Sequence, residues 1–572
     1  MTSSKESIAR IVLILKNKGV NKVVFSPGSR NAPLVIAFAE DPFFECLNIP
    51  DERVAAFFAM GLALKSKSPV AICSTSGSAC LNYAPAIAEA FYQGIPLIVL
   101  TADRPIERID MGEGQSMRQV DVFRNYIKTS VSLRQEAVSR KDLWYNDRLV
   151  NRATNSALDG KPGPVHINIP LEEPLYETKE SVGSPKVVHR FDGSNSLNSE
   201  TYAQLAISLK KHRSIVLLIG QQQINSQLKD LIQTLADQLH VVVLTETTGN
   251  VYIRNSVDCI DRTIECLHAS NTSEYTPDLL LTIGGAIVSK KIKILLRNMV
   301  IKEHWHIAVG EDFPDTYEKL THRINCDPEE FFEYLKNQPK ENISSTAAEQ
   351  DRSQFKLKWQ NLTDRALEQH NRFLHKCDWS DLKVFEHLLK SVPHGSDLHL
   401  ANSTPIRYAQ LFDMRDDLGY FSNRGLSGID GCTSTALGAS YHSDTPVVLI
   451  TGDMGFFYDS NAFWHNHKNP QSRIIVINNG GGGIFRFIPG PSSTPHLEQH
   501  FEATHQASVK GIAMAYDLDY ELASSEKELL DALQHFYQPS NKIRVLEITT
   551  PRTKNDIILK EYFSQLNNSN MD

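Results

Sequence analysis

The chain has 572 residues, with 59 lysines and arginines against 67 aspartates and glutamates, for a formal net charge of −8. That length predicts about three or four domains and excludes a single-domain binding module, and the acidic balance excludes a global attraction to nucleic acid or an anionic membrane. Hydrophobic residues at 41% and charged residues at 22% supply material for large cores and exclude global disorder.

In chain order, Ser3 and Glu6 have capping-box spacing, and Ile8, Ile11, Val12 and Leu15 form one helical face that Gly19 ends. Lys22–Ser26 reads as a short buried strand, followed by a Pro-Gly-Ser turn and an apolar helix over 33–40. A helix over 52–64 takes Asp51 as its N-cap. A strand over 70–74, a helix over 78–93 ended by Gly94, and a strand over 97–101 complete an alternation that predicts a parallel sheet with helices on both faces. Residues 177–200 are polar and read as a linker. A second α/β block has strands over 215–219, 241–244 and 278–283, with a helix over 227–238. The polar stretch 336–353 connects it to a third block with strands over 447–451 and 473–477 and a helix-like stretch between them. The tail after 563 reads as disordered. The expected fold is α/β: three Rossmann-like domains with parallel sheets flanked by helices, spanning 1–180, 195–340 and 356–572. The first and third share an architecture without visible sequence identity.

The third block carries the sharpest chemistry. Its strand over 447–451 ends in Gly452-Asp453, and the next ends in Asn478-Asn479, with Asp453 and Asn479 standing 26 positions apart. A βαβ unit fits that interval and would put both side chains at the carboxyl edge of neighbouring parallel strands, where open α/β sheets bind ligands. A carboxylate and an amide carbonyl are hard oxygen donors suited to Mg²⁺. The four glycines Gly480 to Gly483 would let the backbone approach a diphosphate closely.

This pattern resembles the diphosphate-binding motif of thiamin diphosphate (ThDP) enzymes, GDG followed by NN, with Met454 here in place of the last Gly. The resemblance sharpens with SPGSRNAPL (26–34), DERVAAFFAMGLAL (51–64), STSGSACLNYAPAIAEA (74–90) and TADRP (101–105). SNRGLSGIDG (422–431), GDM (452–454) and NNGGGGIFRFIP (478–489) complete it. Together they are similar to the 2-succinyl-5-enolpyruvyl-6-hydroxy-3-cyclohexene-1-carboxylate synthase branch of that superfamily; the middle block matches weakly. The resemblance implies a pyrimidine-binding first domain, a central domain without cofactor, and a diphosphate- and Mg²⁺-binding third domain, with Mn²⁺ as a substitute ion. It implies a transferase of menaquinone biosynthesis. That enzyme decarboxylates 2-oxoglutarate and adds the resulting succinyl carbanion to isochorismate in a 1,4 sense, releasing CO₂. Asp453, Asn479 and the Gly481 carbonyl would hold the metal. Glu52 would be the catalytic carboxyl beside the aminopyrimidine ring. Ile429 would prop the bent cofactor, with Gly452, Met454, Ile484 and Phe485 also against it.

Both implied substrates carry two carboxylates, which arginine meets with a planar fork of donors. The matching positions are Arg30, Arg104, Arg407 and Arg424, with Ser29, Gln115 and Ser403 as polar contacts, Lys290 and Lys291 as a basic pair, and Phe485 and Ile488 as apolar wall. Gly114 stands where a family member can carry Asn. The resemblance further implies a homodimer or homotetramer whose active site lies at the subunit interface. Two other classes stay open on the residues alone: another ThDP enzyme, such as an acetohydroxyacid synthase or keto-acid decarboxylase, and a non-catalytic ThDP-binding protein.

No apolar run approaches the roughly 20 residues that span a bilayer, and the N-terminal run Ile11 to Leu15 is too short for a signal-peptide core. Eight cysteines without a CxxC pair read as reduced thiols of a cytoplasmic protein, and neither a nucleic-acid partner nor membrane insertion is expected. The histidines His304 and His306 alternate on an expected strand and read as structural.

Overall fold

The computed structural model describes residues 1–181, 183–191, 196–268, 270–310, 312–338, 347–487 and 490–568. Three parallel sheets organise them. The first runs, in spatial order, Glu45–Asn48, Lys22–Phe25, Val70–Ser74, Leu97–Asp103, Val165–Pro170 and Thr129–Ser132. The third runs Gly419–Phe421, Asp397–Leu400, Val447–Gly452, Arg473–Asn478, Arg544–Thr549 and Asp519–Ala523. Both follow the order 2-1-3-4-6-5 when strands are counted along each sheet's own stretch of chain. The middle sheet is five-stranded, with Val242–Thr245, Ile215–Ile219, Leu279–Ile283, Glu303–Ile307 and His322–Ile324 side by side. The fold is thus α/β with parallel sheets, and its first and last sheets repeat one topology.

Sequence-expected strands fall where fully buried parallel strands should, as unbroken apolar runs: all five residues of Val70–Ser74 and of Ile215–Ile219 are buried. Some local expectations change. The helix Glu6–Asn17 is preceded by Lys5 without a side-chain cap, because the Ser3 hydroxyl accepts the Lys5 N–H instead of one inside the helix. The stretch 78–93 is two helices, Ser78–Asn82 and Ala84–Gln93, since Pro85 brings no N–H to bond back into the preceding turn. The connecting stretch expected up to 353 is helical from Ala347, in a helix reaching Leu374. Arg352 anchors its start, donating from a buried position to the carbonyls of Leu239, Lys210 and His212. The helix Asn555–Asn568 likewise runs past residue 563 into the expected tail. His304 and His306 share the Thr282 hydroxyl at 2.9 Å each, buried between strands, as the structural reading holds.

The first and third units meet through two helices. Glu52–Ser66 is apolar on all sides and buried from Val54 to Ala63, as befits a helix packed between layers. It crosses Cys432–Ser440 so closely that a Cβ at Gly61 would lie 2.1 Å from the Thr435 carbonyl oxygen, and one at Gly438 2.0 Å from that of Phe58. Lys65 adds an ion pair to Asp397 at 2.5 Å.

Candidate active site

The carboxyl edge of the third sheet gathers the expected metal ligands. Gly452 pairs with Ile477 in parallel register, so Asp453 and Asn479 emerge beside each other from adjacent strands. Asp453 opens the short helix Asp453–Tyr458, is 3% exposed, and accepts the Met454 N–H at 2.7 Å and the His505 Nε2 at 3.3 Å. Burial pushes its carboxyl up from the usual range, and those donors pull it back. Asn479 donates Nδ2 to Asp381 at 3.2 Å. Asp381 is itself buried, accepts Thr550 Oγ1 at 2.6 Å, and is lifted to about 6 by desolvation. An amide that gives its nitrogen to a carboxylate has its oxygen left as the ligating atom.

Gly480, Gly481 and Gly482 all take positive φ, at 79°, 114° and 66°. A Cβ at Gly481 would stand 2.2 Å from the Ala503 carbonyl, so the tight loop against segment 502–505 demands glycine. That segment is fastened by Glu502, which accepts two bonds from Arg486, at 2.5 and 2.8 Å, and one from Arg552 at 2.8 Å. Ile484 and Phe485 open the short helix after the glycines, half-buried, with Phe485 6.1 Å from the Phe501 ring. Ile429 lies against the Asp453 helix, its Cβ 3.9 Å from a Cβ built on Gly455. Gly452 and Met454 flank Asp453, both half-buried. Ile488 lies outside the described residues.

Glu52 begins the helix shared between the two units. Asp51 caps it through Val54 N at 3.2 Å and also accepts Asn461 Nδ2 at 2.9 Å from the third unit. Glu52 is half-buried and accepts Asn82 Nδ2 at 3.1 Å. Arg53 reaches the Tyr458 carbonyl at 2.9 Å, tying this helix start to the far end of the Asp453 helix.

The four arginines sort into two pairs. Arg30 and Arg104 follow the first and fourth strands of the first sheet, counted along the chain. Arg30 is 4% exposed and donates to the Leu171 carbonyl at 3.1 Å, with Glu173 at 3.6 Å. Burial and the Arg104 charge lower its pKa. Arg104 donates to the Gly114 carbonyl at 2.9 Å. Gln115, with φ of 56°, packs its backbone on Gly77, while Ser29 is exposed beside Arg30. The second pair belongs to the third sheet. Arg407 sits on the helix Thr404–Ala409, which Ser403 precedes with φ of 78°, and Arg424 lies in the loop after Gly419–Phe421. Arg424 donates to Asn402 Oδ1 at 2.8 Å, and burial and the Arg407 charge lower its pKa. Each of the four leaves a buried Nε without a partner among the described residues. Two pairs of guanidinium groups that repel one another, each with an unmet donor, have the chemistry that an anion would complete.

The lysines divide differently. Lys290 is exposed at the start of the helix Lys290–Asn298, and Lys291 is bound to Glu265 with its ammonium 3.3 Å from the Phe563 ring centroid. Lys293 is the one whose charge lies near Glu246, Arg424 and Arg407. Sequence reasoning also missed Asp381, Asn402 and Gln119. The last is buried under the loop carrying Gln115 and accepts Gly77 N at 2.9 Å. None of these stands in a local pattern that announces it.

The residues fit a Mg²⁺-bound diphosphate: the donors are all oxygen, Asp453 is buried beside an amide of fixed orientation, and the glycine cradle is one a side chain would fill. Comparison with known proteins bears on the thiamin diphosphate part of that fit. Residues 8–123 match the family described as thiamine pyrophosphate enzyme, N-terminal TPP binding domain, and residues 403–548 its C-terminal TPP binding domain counterpart. A benzoylformate decarboxylase structure from Polynucleobacter necessarius has the same fold, with a TM-score of 0.71 at 15% identity over 96% of this chain and 99% of that one. Three curated relatives are named 2-succinyl-5-enolpyruvyl-6-hydroxy-3-cyclohexene-1-carboxylate synthase. That of Flavobacterium johnsoniae is 40% identical over 97% of this chain and 98% of its own length. That of Christiangramia forsetii is 41% identical over 99% of both, and that of Porphyromonas gingivalis 39% identical over 99% and 98%. With identity of this order along nearly the whole chain, and both cofactor-binding regions matched, the protein belongs to the 2-succinyl-5-enolpyruvyl-6-hydroxy-3-cyclohexene-1-carboxylate synthase family of thiamin diphosphate enzymes.

Proposed function

We propose that this enzyme decarboxylates 2-oxoglutarate and joins the remaining four-carbon unit to isochorismate, in menaquinone biosynthesis, using ThDP and Mg²⁺. The observation that carries the reading is the pairing of Arg30 with Arg104 and of Arg407 with Arg424 at equivalent edges of two equivalent sheets. A reaction between two dicarboxylates needs two such anion sites; a decarboxylase releasing a simple aldehyde does not. Bound ThDP supplies the electron sink for loss of CO₂.

The chain's own residues do the rest. Asp453, the Asn479 amide oxygen and the Gly481 carbonyl hold Mg²⁺, with Mn²⁺ as a substitute, and the loop Gly480 to Gly483 receives the diphosphate. Glu52 shares a proton with N1′ of the aminopyrimidine. The arginine pairs, with Ser29, Gln115 and Ser403, orient the substrate carboxylates, and such orientation lowers a barrier by several kcal/mol. Ile429, Ile484 and Phe485 supply the apolar surface against the cofactor, and the family resemblance adds Ile488 as an apolar substrate contact. Of the basic residues on the middle unit, Lys290 has an exposed head for an incoming carboxylate, and Lys291 would have to leave Glu265. Glu52 acts with Asp453 of a second copy, so the working unit is a homodimer or a tetramer of such dimers, in the cytoplasm. Exposed Leu81, Ile106 and Met111 offer apolar surface for such a contact.

Purified protein with ThDP and Mg²⁺ is given 2-oxoglutarate alone or with isochorismate, and CO₂ release and isochorismate loss are followed. Fast CO₂ release that requires isochorismate and matches its loss one for one is the expected result. CO₂ without isochorismate consumption would overturn the acceptor, and no release with any keto acid would overturn the enzyme reading.

A further inference from the structure

The loop that carries Arg424 is held by all three units of the chain. Glu89, in the helix Ala84–Gln93 of the first unit, is 2% exposed. Its two carboxylate oxygens accept the N–H groups of Gly425 and Leu426, both at 2.6 Å, in the two peptides that follow Arg424. The two backbone segments touch there: a Cβ at Gly425 would lie 2.7 Å from the Glu89 carbonyl oxygen. Gln93, one turn on, donates to Glu89 at 2.6 Å and accepts Gln221 Nε2 of the middle unit at 3.1 Å. The same Gln221 nitrogen donates to the Ser422 carbonyl at 2.8 Å. From within the third unit, Asn402 donates to the carbonyls of Asn423 and Gly428 at 2.6 Å each, and its oxygen accepts Arg424 Nη1.

This bracing has a physical reason. Arg424 is buried beside Arg407, and two like charges in a poorly solvated place push each other apart, against the pull of Glu246 and Glu89. A carboxylate bound to two consecutive backbone N–H groups opposes that push with its charge and fixes the peptides that aim the guanidinium. We propose that Glu89 is a positioning residue for Arg424, acting across the domain boundary to set the geometry of substrate-carboxylate binding, with Gln93 and Gln221 extending the brace to the middle unit. This rests on the reading of Arg424 as a substrate contact.

The test is a double-mutant cycle on the full-length enzyme loaded with ThDP and Mg²⁺. Glu89→Gln keeps the shape but turns one acceptor into a donor that faces a backbone N–H. We expect KM for the substrate most affected by Arg424→Ala to rise about 10-fold or more in E89Q, with kcat within about 3-fold and ThDP affinity unchanged. In the Arg424→Ala background the same change should add less than about 2-fold, since the residue it acts through is gone. Equal fold-changes in both backgrounds, or a lower melting temperature with KM unmoved, would overturn the proposal. Arg424→Ala with normal KM for both substrates would sink the Arg424 reading and this inference with it, whereas absent turnover in the unmodified protein sinks the synthase reading first. Should E89Q not fold, Gln221→Leu, which frees Ser422 at the other end of the loop, goes through the same cycle with the same two outcomes.

Discussion

Asn479 gives its amide nitrogen to the buried carboxylate of Asp381 at 3.2 Å, and that bond leaves the amide oxygen as the atom that would meet the metal of the proposed site. Asp381 is held in turn by Thr550 Oγ1 and by its own backbone N–H to Asn555 Oδ1 at 2.9 Å, so it cannot turn to follow a misplaced amide. Asp381→Asn offers a nitrogen as readily as an oxygen and loses that discrimination. Outer partners of metal ligands are typically worth 10–100-fold in affinity. Titrating Mg²⁺ in saturating ThDP, followed by tryptophan fluorescence, should show binding weakened by about 10-fold or more. An affinity within about 2-fold of the unmodified protein would sink this role.

Glu52 and Asp453 lie on different units of the chain, and the proposed site takes each from a different subunit. Glu52→Gln and Asp453→Ala should each abolish most turnover, by about 100-fold or more for Glu52, without lowering the melting temperature much. Mixed after dissociation and reassociation, the two inactive proteins should regain activity. A heterodimer has one site with both residues intact, so random exchange restores about a quarter of the unmodified protein's rate. If the mixture stays inactive although exchange is demonstrated by mass, the site is built within one chain.

The Glu52 helix is placed by glycines. At Gly438 a methyl group would stand 2.0 Å from the Phe58 carbonyl oxygen, which is backbone and cannot swing away. Gly438→Ala therefore forces the two helices apart, at a cost of roughly 1–3 kcal/mol. The unfolding midpoint should fall by several degrees, and ThDP should bind more weakly because the carboxyl at the helix start moves with it. Gly114→Ala is the control: among the described residues nothing lies within 4 Å of its Cβ position, so its midpoint should not change. Equal midpoints for both variants would refute the close-contact argument.

These cases mark where sequence reading succeeds and where it stops. Val70–Ser74 and Ile215–Ile219 were legible because a strand buried on both faces is a continuous apolar run with nothing else to specify. Asp51 was legible because a cap acts within three residues of itself. The Asp453 and Asn479 pairing was legible because a βαβ unit has a narrow range of lengths. The break at Tyr83 was not, since Pro85 is tolerated at the start of a new helix as well as it interrupts an old one. Asp381 and Glu89 were not either. Each is a single polar residue whose partners lie 98 and 336 positions away, and nothing local distinguishes it from a surface acid. Lys293 shows the same limit: helix geometry, not the KK pair, selects which basic side chain nears Arg407 and Arg424.

Glu246 yields a prediction in stability and pH. It follows the strand Val242–Thr245, is 1% exposed, and accepts the N–H groups of Val288 at 2.6 Å and Ser289 at 2.7 Å, just ahead of the Lys290–Asn298 helix. Desolvation lifts its carboxyl from the ordinary 4.5 to about 7, against the pull of those two N–H groups and of Arg424. A carboxyl that holds its proton more tightly folded than unfolded favours the folded state when protonated. Its contribution is therefore full below about 4.5 and is lost as pH rises through about 7, by roughly 3 kcal/mol in all. Glu246→Gln stays neutral throughout. It should be less stable than the unmodified protein at pH 5, having lost one of two acceptor oxygens, and should close that gap as pH rises to 8. Urea midpoints measured across that range test the sign directly. Parallel curves would mean that Glu246 ionises in the fold as easily as in water, and that its N–H partners and Arg424 offset burial in full.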